Sequence, residues 1–141
     1  GTPRTMQGNP RYDNVVADVH RFLEARAGAA ITAGIGSDRI CLDPGIGFGK
    51  TVGHNVQLLA GLATLTSGDH PILVGTSRKR FLGSILERAG GTVDVASRDR
   101  ATAATVVASI LAGAAVVRVH DVAAALDAVR VADAIVRVPQ L

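Results

Sequence analysis

Apolar positions along the chain follow two alternating rhythms. From Asp13, the residues Val15, Val16, Val19, Phe22, Leu23 and Arg26 recur at the i, i+3, i+4, i+7 spacing of a helix face. Asp13 or Asn14 can cap that helix, and Gly34 stops it. A short apolar run, Arg39 to Asp43, then reads as a buried strand closed by Pro44-Gly45. A glycine-bearing loop leads to His54, and Val56, Leu58, Leu59 and Leu62 mark a helix over Asn55–Leu65. The alternation repeats as a strand over Pro71–Gly75 and a helix over Phe81–Ala89. After a polar excursion from Gly90 to Ser97 come a helix over Asp99–Ala112, a strand over Ala115–Val119 and a helix over Val122–Val136. The polar, proline-broken stretch Gly1–Arg11 reads as a loop.

Strands alternating with helices predict a parallel sheet with right-handed crossovers. Three strands cannot close a barrel and would leave two sheet edges bare. The chain opens on Gly1 in a loop that should follow an earlier strand, and a closed barrel needs roughly 250 residues. The expected fold is therefore α/β, the C-terminal half of a (β/α)8 TIM barrel with parallel strands. A small open α/β sandwich is the alternative.

Composition narrows the function classes. Of 141 residues, 48% are hydrophobic and 19% charged, which excludes a disordered tail. The longest apolar stretches, such as Ile110–Val117, stop well short of a membrane span. Cys41 is the only cysteine and no secretory signal is visible, so a cytoplasmic location is expected. The formal charge is +3, but only 3% of residues are aromatic and the arginines are scattered. That argues against nucleic acid and for small anionic ligands. Among the 15 basic residues only Lys50 and Lys79 are lysines, marking positions that want a compact ammonium rather than a planar guanidinium.

Polar clusters follow each strand: Asp43 with the Gly45–Lys50 loop, then Ser77-Arg78-Lys79, then Arg118-Val119-His120-Asp121. In parallel α/β folds the C-terminal strand ends share one ligand cavity. Residues two apart in an extended backbone share a face, which pairs Arg118 with His120 and Ser77 with Lys79. Simpler readings exist for each: Asp43 as a turn initiator, Asp121 as a helix cap, Ser77–Arg80 as a solvated basic run. Arg118, inside an apolar strand, must meet a carboxylate, a ligand or water. The glycine loop fits neither a dinucleotide fingerprint nor a P-loop, and the histidines lack metal-ligand spacing.

Four strings, Thr2-Pro-Arg-Thr-Met-Gln7, Leu42-Asp-Pro-Gly-Ile-Gly-Phe-Gly-Lys50, Gly75-Thr-Ser-Arg-Lys-Arg-Phe81 and Arg118-Val-His-Asp-Val122, together resemble the C-terminal part of the dihydropteroate synthases. That resemblance covers the whole chain, 1–141, as part of a pterin-binding domain. It implies a folate-biosynthetic transferase that joins 6-hydroxymethyl-7,8-dihydropterin diphosphate to para-aminobenzoate and releases pyrophosphate. Alternatives are an inactive synthase-like paralogue and a methyltetrahydrofolate methyltransferase-type domain. The resemblance assigns Lys79, Arg118 and His120 to catalysis, and Asp43, Phe48, Ser77, Arg78, Lys79, Arg118, Val119 and His120 to substrate binding. Asp43 would hold the pterin edge, Lys79 would contact both substrates, and Arg118 would stack on the pterin. His120 would bind the diphosphate, and Phe48 with Ser77 would line the benzoate pocket. It further implies Mg2+ as cofactor, with no metal ligand in this segment, sulfonamides as inhibitors, and a homodimer of the full-length enzyme without nucleic-acid or membrane partners. The small-residue helices 99–112 and 122–136 are the candidate dimer face.

Overall fold

The computed structural model describes residue 2 and residues 4–138; Gly1 and Pro3, part of the expected opening loop, lie outside the described residues. The first helix, α1 (Val15–Thr32), is capped by Asn14, whose side-chain oxygen accepts the Val16 and Ala17 N–H groups. Its buried face is Val15, Val19, Leu23 and Ala27, a strict i, i+4 stripe. Phe22, expected on that face, is 63% exposed. One step of 100° along the helix carries it past the rim of the core.

Three parallel strand segments lie side by side. Leu42 pairs with Ile72, and β1 (Leu73–Val74) pairs with β2 (Val116–Val117) in the register Leu73–Val116 and Val74–Val117. All three expected strands are present in the expected order, but each is shorter than its apolar run. The first is reduced to a single bridge because Ser37–Arg39 winds into a 3-10 turn before it.

Helices α2 (Val52–Ala60) and α3 (Leu62–Thr66) replace the single helix expected over 55–65. Helix α2 starts earlier because Thr51 and His54 form a reciprocal capping box. The break falls at Gly61, where a Cβ would meet Val16 Cγ2 at 2.8 Å, so glycine lets this corner pack on α1. After β1 comes α4 (Arg80–Arg88). Then α5 (Val95–Leu111) starts four residues before the expected Asp99, because Asp94 caps it through the Ser97 N–H. The last helix, α6 (Val122–Val136), has the expected bounds and is capped by Asp121.

The core gathers the α1 stripe, Leu42, Ile72 and Val74 from the strands, Leu58, Leu62 and Leu65 from α2 and α3, and Phe81 and Leu82 from α4. Helix α5 packs chiefly against α6. This core holds the three strands level at their C-terminal ends, and the functional side chains project from there.

Candidate active site

Asp43 follows the Leu42 bridge. Its Oδ1 accepts the Gly45 N–H at 2.8 Å, so it does initiate a turn, while Oδ2 accepts from Arg118 Nη2 at 3.1 Å. The turn reading of Asp43 is thus realised by one oxygen, while the other faces Arg118. Arg118, at the end of β2, reaches it across β1. The guanidinium passes over Gly75, where a Cβ would stand 3.0 Å from Nη2. Only glycine leaves that path clear.

Ser77, at the end of β1, is buried. Its hydroxyl accepts the His120 backbone N–H at 3.1 Å and bonds the imidazole Nδ1 at 2.8 Å. Gly75, Ser77, Lys79, Arg118, Val119 and His120 line one open cleft of about 260 Å3. Ser77, grouped with Phe48 by the resemblance, also stands beside His120.

Lys79 closes this cleft on one side. Its Nζ donates to the Ile46 carbonyl at 2.7 Å and lies 3.8 Å from the centre of the Phe48 ring, a cation–π contact. Burial lowers its pKa; the Asp43 charge opposes that shift and the Arg118 charge reinforces it. Lys79 also borders a second cleft of about 290 Å3, with Gln7, Lys50, Thr51, Asn55 and Arg80 on its walls. One ammonium therefore serves two clefts. The second has Lys79, Lys50 and Arg80 on its wall, a setting for an anionic group.

The loop between them is tightly held. Gly45, Gly47 and Gly49 all have positive φ, and Gly47 is the critical one: a Cβ there would lie 2.7 Å from Lys79 Cδ. The buried Asn55 accepts the Gly47 N–H at 2.7 Å and donates to the Thr51 carbonyl at 2.8 Å. Lys50 Nζ donates to the Gly45 and Phe48 carbonyls at 3.0 and 3.1 Å. Its pKa is lowered, first by burial, with Asp43 opposing and Lys79 adding to the shift. The lysine-for-arginine clue thus leads to one loop, whose carbonyls take the two ammonium groups.

Arg78 does not face either cleft wall. Its guanidinium makes a two-pronged ion pair with Asp99 on α5, at 2.8 and 3.0 Å, which raises its pKa and lowers that of Asp99. Arg78, expected among the substrate-binding residues, makes its side-chain contacts within the fold, because the turn it occupies aims its side chain at α5. Sequence reading passed over Asn55, Arg80 and Asp99. Asn55 carried a faint signal as a polar residue inside an apolar helix pattern; Arg80 stood out only as part of the basic run Ser77–Arg80, and Asp99 only as a helix start.

Among the described residues no three His, Cys, Asp or Glu side chains gather into a set able to hold a metal ion. Asp43 is already engaged by Gly45 and Arg118. The Mg2+ implied by the resemblance finds no donor set here. No helix among the described residues is long and apolar enough to cross a membrane.

Comparison with known proteins gives a consistent picture. Residues 1–120 match the family model described as pterin binding enzyme. The chain is 43% identical over 136 residues to the dihydropteroate synthase of Neisseria meningitidis serogroup C, covering 96% of this chain and 47% of that relative. The Yersinia pestis dihydropteroate synthase, solved as a sulfonamide drug complex, superposes with a TM-score of 0.88 at 38% identity, over 96% of this chain and 47% of the other. The Xanthomonas albilineans dihydropteroate synthase in complex with 7,8-dihydropteroate gives 0.83 at 46% identity, over 92% and 48%. The chain therefore spans about half the length of the relatives it matches, and the half-barrel reading of its fold stands.

Proposed function

This chain belongs to the pterin-binding enzyme family, and from that premise we propose that it furnishes part of the active site of a dihydropteroate synthase. The reaction would join the arylamine nitrogen of para-aminobenzoate to the methylene carbon of 6-hydroxymethyl-7,8-dihydropterin diphosphate. The C–O bond breaks, its electron pair leaves with pyrophosphate, and the amine, once bonded to carbon, gives up a proton. The observation that carries this reading is the gathering of Asp43, Lys79, Arg118 and His120 at the ends of three adjacent strands.

In this reading the Asp43 carboxylate takes the paired N–H donors of the pterin edge, which match two oxygens side by side. Arg118 lies flat on the pterin and holds the departing diphosphate together with His120. A cation about 4 Å from a phosphate charge is worth around 4 kcal/mol at an effective dielectric of 20. Charge on the leaving group grows in the transition state, so such contacts lower the barrier to departure. Lys79 sits between the two clefts and contacts both substrates. The second cleft takes the benzoate, with its carboxylate toward Lys50, Lys79 and Arg80. Sulfonamides, as arylamine mimics, would compete there.

Mg2+ would be held by residues elsewhere in the full-length protein, and no step depends on it here. The full-length protein would work as a cytoplasmic homodimer, with the exposed apolar side chains Val131, Ile135 and Val136 of α6 at its contact; light scattering on that protein tests this. The function itself is tested by calorimetry on the full natural polypeptide, with pterin diphosphate first and para-aminobenzoate second, followed by assay for dihydropteroate. Ordered binding and product formation are expected. A protein that binds neither ligand is a paralogue without the activity. The isolated 141-residue chain is expected to show at most weak turnover, since the walls opposite these clefts lie outside it.

A further inference from the structure

Thr76 to Lys79 form a turn, with the Lys79 N–H donating to the Thr76 carbonyl at 3.1 Å. Its third residue, Arg78, is the only described non-glycine residue with positive φ, at 56°. That turn position ordinarily belongs to glycine or asparagine, because a Cβ there crowds the backbone. An arginine in it needs an offsetting interaction.

Helix α5 supplies one. Asp99 grips the Arg78 guanidinium with both oxygens, Thr102 Oγ1 accepts the Arg78 backbone N–H at 3.2 Å, and the Thr105 hydroxyl bonds that of Thr76 at 2.7 Å. These three α5 residues recur every third position and engage two residues of the turn. With Arg78 drawn toward α5, its neighbours Ser77 and Lys79 both line the cleft. Ser77 in turn holds the His120 backbone and ring. One latch on α5 thus governs side chains at two strand ends.

We infer that Asp99 is a positioning residue: by holding Arg78 in its left-handed turn it presents Lys79 and Ser77, and through Ser77 also His120, to the substrates. This rests on the proposed function above. The backbone conformation is what Asp99 maintains, so a residue that adopts it freely should reduce the dependence on Asp99. Glycine does so at no steric cost, whereas alanine does not.

The test uses the full natural polypeptide with Asp99→Asn, Arg78→Gly/Asp99→Asn and Arg78→Ala/Asp99→Asn. Asp99→Asn should lower kcat/KM at least tenfold. The glycine double variant should recover at least fivefold over the alanine one, although glycine usually loosens a fold. Equal activity of the two double variants, or an Asp99→Asn enzyme within twofold of the parent, overturns the inference. Hydrogen exchange at the Lys79 amide, which needs no substrate, separates this from failure of the functional reading. Asp99→Asn should speed that exchange about tenfold, with protection in the α1 core unchanged. Unchanged exchange at Lys79 rejects the latch even in a protein that makes no dihydropteroate. Faster exchange in such a protein supports the latch while rejecting the function.

Discussion

Arg118 Nη2 meets Asp43 Oδ2 at 3.1 Å and so ties together the ends of the two outer strand segments, across the end of the strand between them. The pair is open to solvent on the Arg118 side, whose side chain is 60% exposed. An exposed pair of this kind contributes at most about 1 kcal/mol to stability. Its value lies in holding a carboxylate and a guanidinium where a ligand can engage both.

Asp43→Asn therefore separates stability from function. The midpoint of urea unfolding should move little, while affinity for pterin diphosphate falls roughly tenfold or more, as expected when a charge-assisted hydrogen bond becomes a neutral one. Calorimetry and denaturant titration on the same preparation check the two halves of this statement.

Gly75→Val addresses the route of Arg118 over β1. The three atoms nearest a Cβ placed there all belong to the Arg118 side chain, so that side chain rather than the backbone should yield. The valine Cβ would stand 3.0 Å from Arg118 Nη2, and the added methyls must push the guanidinium aside. Pterin diphosphate binding should weaken about as much as in Arg118→Ala, and the double variant should be no worse than either single one, as for residues acting as a unit.

Asn55→Leu strips the Gly47 N–H of its acceptor in a buried setting. A loss of about 1–3 kcal/mol in stability is expected. Because Gly47 lies against Lys79, KM for the arylamine should rise as well. Steady-state kinetics beside thermal melting distinguish a specific effect from a general one.

Acid stability should depend on Asp94, which caps α5 and accepts from both the Ser97 backbone and its hydroxyl. These bonds favour the carboxylate and lower its pKa. The folded form therefore binds its proton less readily than the unfolded form. The stabilisation is complete above the unfolded pKa and is lost as pH falls through the folded one. Asp94→Asn should melt earlier than the parent near pH 7. The difference should shrink as pH falls through the folded pKa, which lies below the ordinary carboxylate value, because the native carboxyl is then protonated too. A gap in Tm that persists at low pH would reject this role.

The apolar rhythm sufficed for the order of elements, the parallel arrangement and the bounds of α6, since each depends on how a segment's own side chains repeat. It also sufficed to bring Asp43, Lys79, Arg118 and His120 to neighbouring strand ends, since alternating strands and helices leave those ends together. Where a pattern was broken by capping, the reading shifted: Thr51 and Asp94 each drew a helix start several residues earlier than its apolar positions indicated.

Other features were settled only in three dimensions. Arg78 reads as one more cation in a basic run, and its turn toward Asp99 depends on a helix that begins 17 residues later in the chain. Phe22 fits the helical stripe, yet faces outward because the core's rim is drawn by other elements. Lys50 and Asn55 are near in sequence to the loop atoms they bond, and Ile46 offers its carbonyl to the distant Lys79, but all these bonds depend on the positive φ angles at Gly45 and Gly47. Periodicity records which face of its own element a residue occupies. Which partner waits opposite that face is decided by segments remote in the chain, and only packing brings them into reach.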